Sequence, residues 1–175
     1  MKILSFIFIL SIMPVISSIT CICPPIEKLE ITQIKEYNSS EVVIIGNVNF
    51  VSENSKEFKL SVVEVFKGDL KENDIIKGVN FLSCEPTVNT IGKWLLYGKL
   101  QSGILEINSC GLSRSFDNPM QNRHFQFIQP PPATYGDSLI IVDDKEIYEL
   151  EKEIEKKAFD ELKHEIHLLR KQKLD

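Results

Sequence analysis

No stretch of this chain gathers Lys or Arg into a face-sized block, and the net charge is only −5 over 175 residues. Nucleic acid and anionic membranes, both bound chiefly through clustered cations, are therefore poor partners for it. The signatures of common enzyme sites are missing as well. There is no Gly-x-Ser-x-Gly turn, no phosphate-binding Gly-rich loop and no His-Glu-x-x-His helix. His124 stands in an irregular stretch without an obvious nucleophile beside it, and no spacing pairs two carboxylates. Cys-x-x-Cys spacing with nearby histidines, the usual zinc-site pattern, is also lacking. The expectation is a protein that is not an enzyme and has no cofactor of its own.

What is present begins at the N-terminus. Met1-Lys2 is a short positive start, residues 3–12 are an apolar run, and Ser17, Ser18 and Thr20 follow as small residues. That layout predicts a secretory signal peptide over residues 1–20. Pro14 and the short apolar core disfavour a membrane span, which needs roughly 20 residues. A lipid-attachment reading of Cys21 fits badly with the preceding Ser18-Ile19-Thr20. The protein is expected to be secreted, or periplasmic or envelope-associated if its source is bacterial. In an oxidising compartment the four cysteines, Cys21, Cys23, Cys84 and Cys110, make an even set. Four cysteines allow three pairings, and spacing does not choose between them. A Cys21–Cys23 bond would close a very tight ring, so two long-range bridges are favoured.

Residues 27–37 carry Leu29, Ile31 and Ile34 and predict a short helix that packs on the domain. Strands follow at 41–51, 56–66 and 74–82, then a hairpin of 93–100 with 104–107. Asn54-Ser55 and Gln101-Ser102-Gly103 supply the turns. Five strands joined by short loops predict a closed or nearly closed barrel. Trp94, Leu96 and Tyr97 read as core and wall residues. Residues 117–143, with Pro119 and Pro130-Pro131-Pro132, form an extended strap or linker in which 139–142 is a candidate short strand. From Asp143 to Lys173 there is neither Gly nor Pro. Ile147, Leu150, Ile154, Ala158, Leu162, Ile166 and Leu169 recur at steps of three and four. A long amphipathic helix over 144–173 is expected, overhanging the barrel or meeting a second copy of the chain. His164 and His167 read as solvated surface residues of that helix.

Certain residues point to a family. Cys21-Ile22-Cys23-Pro24-Pro25 resembles the Cys-x-Cys opening of the tissue inhibitors of metalloproteinases. Asn38-Ser39-Ser40-Glu41-Val42-Val43 is similar to the Asn-Ser-Asp-Leu-Val that leads into their first strand, and Val65-Phe66-Lys67-Gly68 to their Tyr-Lys-Gly strand end. The nearest stretch is Gly98-Lys99-Leu100-Gln101-Ser102-Gly103-Ile104-Leu105 ahead of Cys110. The match covers residues 21–116. It departs from the family in lacking the domain's third disulfide, in placing Phe116 where a Trp is usual, and in replacing the six-cysteine C-terminal domain.

The resemblance implies a netrin-like domain, a five-stranded OB-like barrel with helices at its side. It implies the bridges Cys21–Cys84 and Cys23–Cys110. It also implies inhibition of a zinc metalloprotease of the metzincin type: the α-amine and carbonyl of Cys21 would chelate the target's zinc. Ile22, Cys23 and Pro24, with Leu82 and Ser83 beside Cys84, would contact the protease. The alternative is a secreted netrin-like binding or scaffold module without inhibitory activity.

Overall fold

The computed structural model describes Cys23 and residues 28–80, 86–120 and 144–174. The leader at 1–20, the candidate strand at 139–142 and all of the Pro-rich strap beyond residue 120 lie outside the described residues.

Two apolar tetrads organise the molecule. Val42-Val43-Ile44-Ile45 opens β1 (Val42–Val51), and Trp94-Leu95-Leu96-Tyr97 lies within β4 (Gly92–Gln101). Successive side chains of a strand face opposite sides. A run that is apolar at every position therefore needs cover on both. Val42, Ile44, Trp94 and Leu96 fill the barrel interior. Val43, Ile45, Leu95 and Tyr97 form a second core outside it, beneath the C-terminal helix.

β1 pairs antiparallel with β2 (Glu57–Lys67) on one edge and with β4 on the other. β2 continues antiparallel to β3 (Ile75–Val79), β3 runs parallel to β5 (Ile104–Ile107), and β5 returns antiparallel to β4. The β1–β4 pairing closes these five strands into a mixed OB-like barrel. β1 shifts register against β2 three times, at Val43/Ile44, Ile45/Gly46 and Val48/Phe50. Each such bulge bends the strand and adds twist, which lets one strand wrap the barrel. A two-residue strand, β6 (Arg114–Ser115), adds to β4 at Trp94 and Leu95, on the edge not taken by β1. The third strand ends at Val79, short of the expected 82, and β6 has no counterpart in the sequence-based expectation.

The expected turns are in place. Asn54 Oδ1 accepts from Ser52 Oγ at 2.9 Å and from Lys56 N at 3.1 Å, fixing the β1–β2 turn. Ser102 and Gly103 take φ of 51° and 79°, the left-handed pair that suits a two-residue hairpin loop.

The first helix, α1 (Leu29–Ser39), sits about one half-turn later than the expected 27–37. Its contact with the outer core is made by Leu29 and Tyr37, whereas Ile31 and Ile34 are exposed. The reason is geometric: residues 29 and 31 lie about 200° apart around a helix, so they cannot share a face. The second helix, α2 (Asp144–Leu174), is continuous over 31 residues, ~46 Å. Leu162, Ile166 and Leu169 join the outer core against the barrel and Ala158 is buried, while Tyr148 and Leu150 at the helix start are exposed. Near its end Arg170 grips Glu64 of β2 with two bonds, Nε to Oε1 at 3.0 Å and Nη2 to Oε2 at 2.8 Å. Among the described residues, no helix is long and apolar enough to cross a membrane.

Candidate functional site

The chain leaves β5 at Ile107 and turns at once. Asn108 N donates to Tyr97 O at 3.1 Å, and Gly111 N folds back to Asn108 O at 3.2 Å. Cys110, inside that turn, has left-handed backbone with φ of 60°. Its sulfur is bonded to Cys23, with the two Cα atoms 5.5 Å apart at a sequence separation of 87. By the chain-entropy model, closing so long a loop contributes ~4.5 kcal/mol.

The turn is held from α1. Glu36 Oε1 accepts from Asn108 Nδ2 at 3.1 Å and from Leu112 N at 3.4 Å. Asn108 Nδ2 also donates to Ser40 Oγ at 2.8 Å, and that hydroxyl donates to Glu36 O at 2.7 Å. A Cβ at Gly111 would stand 2.2 Å from Glu36 Oε1, so no larger residue fits there as the groups stand. Burial pushes the Glu36 carboxyl above its ordinary range; the bonds from Asn108 and Leu112 pull it down, and the charge of Glu165 adds to the rise.

A second stem leaves the same end of the barrel. β3 and β5 are parallel, with Val79 opposite Glu106, so Asn80 and Asn108 follow neighbouring strand ends. Asn80 is buried and its amide ties the end of β3 to Val88. Its Nδ2 donates to Val88 O at 2.9 Å and to Ser55 O at 2.7 Å, while Oδ1 accepts from Val88 N at 2.9 Å. The β1–β2 turn, the segment at Val88 and the end of β3 are thus joined through one side chain.

Behind these stems, Glu165 of α2 is buried against the barrel wall. The Tyr97 hydroxyl donates to Glu165 Oε1 and Arg114 Nη2 donates to Oε2. Burial, then the Glu165 charge and its hydrogen bond, raise the Tyr97 hydroxyl well above the ordinary phenol range, with Arg114 opposing. The phenol therefore stays protonated as the donor.

Of the residues implied by the family resemblance, Cys23 is described, half-buried and bonded to Cys110. Cys21, Ile22, Pro24, Leu82, Ser83 and Cys84 lie outside the described residues, and with them the Cys21–Cys84 bridge. His164 and His167 are exposed, and no group of three or more His, Cys, Asp or Glu among the described residues could hold a metal ion. Glu36, Asn80, Asn108, Arg114 and Glu165 escaped sequence reasoning. Only Glu165 left a trace: it falls three residues after Leu162 and one before Ile166, a carboxylate inside the apolar stripe.

Comparison with protein-family models gives no match, and none of the curated proteins matches the sequence.

Proposed function

We propose that the protein is a secreted inhibitor of zinc metalloendopeptidases of the metzincin type, acting through a mature N-terminus at Cys21. The observation that carries this reading is the Cys23–Cys110 disulfide, which fastens the Cys-x-Cys segment to the end of an OB-like barrel. It is one of the two bridges that the resemblance to the tissue inhibitors of metalloproteinases implies.

The mechanism follows from the chemistry of a chain start. An α-amine, with pKa near ~8, loses its proton readily enough to bind a metal at neutral pH. Together with the Cys21 carbonyl it offers two ligands side by side. The catalytic zinc of a protease accepts them in place of its bound water. Bridging Cys21 to Cys84 and Cys23 to Cys110 would hold this clamp rigid, so little ordering entropy is lost on docking. Ile22 then enters the pocket beyond the scissile position, where burial contributes ~1.5–3 kcal/mol. Cys23 and Pro24 continue along the protease cleft, and Leu82 and Ser83 flank them.

The test is inhibition of a panel of metzincins by protein beginning at Cys21. Submicromolar inhibition is expected, abolished by acetylating the α-amine or by adding one Ala before Cys21. Replacing Ile22 by Gly weakens inhibition without removing it. Equal inhibition by the extended form would overturn the zinc clamp, and failure across the panel would overturn the inhibitor reading. A second reading, a secreted netrin-like binding or scaffold module, is favoured by the exposed Tyr148 and Leu150 at the start of α2. It would gain from failure on the panel.

A further inference from the structure

Glu36 stands apart from the rest of α1. No residue of that helix is fully buried, yet this carboxylate reaches across 72 residues of sequence to Asn108 and 76 to Leu112. Those two residues bracket Cys110 on either side. One oxygen atom, Oε1, takes both bonds, and Gly111 leaves the space for it to do so.

We propose that Glu36 is the positioning residue of the N-terminal segment: it fixes the 108–112 turn, and through the Cys110 disulfide that turn places Cys23. The assignment rests on the inhibitor reading for its functional consequence, but the geometry stands on the turn alone. Cys110 adopts a left-handed backbone that costs a non-glycine residue energy, so something must hold the turn in that form. The backbone supplies the Gly111 to Asn108 bond within the turn and the Asn108 to Tyr97 bond at its start. Side-chain bonds reach it from the end of α1, where the Glu36 carboxylate and the Ser40 hydroxyl both receive Asn108 Nδ2. Cys23 lies two residues from the Cys21 amine, so a shift of the turn is transmitted to any ligand pair carried there. Pre-organisation of that kind sets affinity without touching the partner.

The role requires an acceptor at Oε1, not a charge. Both bonds are accepted by one oxygen, which an amide also offers, so glutamine should serve. The experiment compares Glu36→Gln, Glu36→Ala and Gly111→Ala in the full mature protein. Two readouts are taken: the rate at which dithiothreitol reduces Cys23–Cys110, followed by peptide mapping, and the inhibition constant against a metzincin. Relative to the unmodified protein, Glu36→Ala and Gly111→Ala should each change both by about tenfold, ~1.4 kcal/mol, while Glu36→Gln stays within about twofold. Rescue by Gln separates positioning from a loss of charge. If Glu36→Gln is as damaging as Glu36→Ala, or if Glu36→Ala reduces at the unmodified rate, the assignment is wrong. Should Glu36→Ala fail to fold, Gly111→Ala decides, and an unmodified reduction rate there overturns it. If the unmodified protein inhibits nothing, the inhibitor reading falls, and the reduction rates still decide the role of Glu36.

Discussion

Arg114 and Glu165 form an ion pair from which solvent is excluded, their side chains being 0% and 3% exposed. Arg114 comes from the two-residue strand β6 and Glu165 from α2, so the pair locks the helix to the barrel. Among the described residues, Nε and Nη1 of Arg114 have no other partner. Removing Glu165 alone would leave a buried cation uncompensated. Glu165→Ala is expected to lower the unfolding free energy by about 3–5 kcal/mol. The double variant Glu165→Leu with Arg114→Met should recover part of that loss, because apolar groups replace the buried ion pair while the Tyr97 hydroxyl still loses its acceptor. Urea denaturation of the single and double variants measures both. Equal loss in the double variant would mean that shape, not charge, joins the helix to the wall.

The Phe58 ring crosses β3 at Gly78, where a Cβ would stand 2.0 Å from the ring's Cζ. Both residues lie in the barrel and are directly paired between β2 and β3. Gly78→Ala is therefore expected to destabilise by about 1–3 kcal/mol through overpacking. Combining it with Phe58→Leu should cost less than the sum of the two changes, since the second relieves the clash.

Two carboxylates should tilt the pH profile of stability in opposite directions. Hydrogen bonding from Arg170 lowers the Glu64 carboxyl below its ordinary 4.5. A depressed value means that its contribution is present above 4.5 and is lost as pH falls through the lowered value in the folded protein. Glu36 lies above 4.5, so the folded state holds its proton more tightly; stability falls as pH rises from 4.5 through the raised value. Chemical denaturation across the acid range should show Glu64→Gln flattening the limb below 4.5. Glu36→Gln should flatten the fall above it.

Non-reducing peptide mapping of the protein should recover Cys23 joined to Cys110, as in the structure. It should also recover Cys21 joined to Cys84, as the inhibitor reading requires. A fragment joining Cys21 to Cys110 would break the register on which that reading depends.

How legible was this molecule? The barrel was legible where local chemistry is strong. Val42 to Ile45 and Trp94 to Tyr97 are apolar at every position, and Asn54-Ser55 and Ser102-Gly103 carry turn residues. The α2 stripe was legible for the same reason, since Ala158, Leu162, Ile166 and Leu169 repeat at helical spacing. β6 was not, because a strand of two residues has no periodicity and exists only where β4 has a free edge. The face of α1 misled because Ile31 and Ile34 are solvated, while a glutamate makes its decisive long-range contacts. The site was the least legible part. Glu36 and Asn108 are brought together only by the closed barrel. The Cys23–Cys110 bridge was expected from family resemblance, not from spacing.

Closure of the barrel has a consequence for the order of folding. β1 cannot complete its second edge until Gly92–Gln101 exists, and the Arg170–Glu64 clasp spans 106 residues of sequence. Contacts so distant along the chain require large loops to close first, which slows folding relative to a helical bundle of equal size. During synthesis β1 can pair with β2 at once, but its other edge must wait for β4. For a secreted protein, as proposed for this one, that delay is useful wherever export requires an unfolded chain: slow topology keeps it translocatable until the last helix has been made.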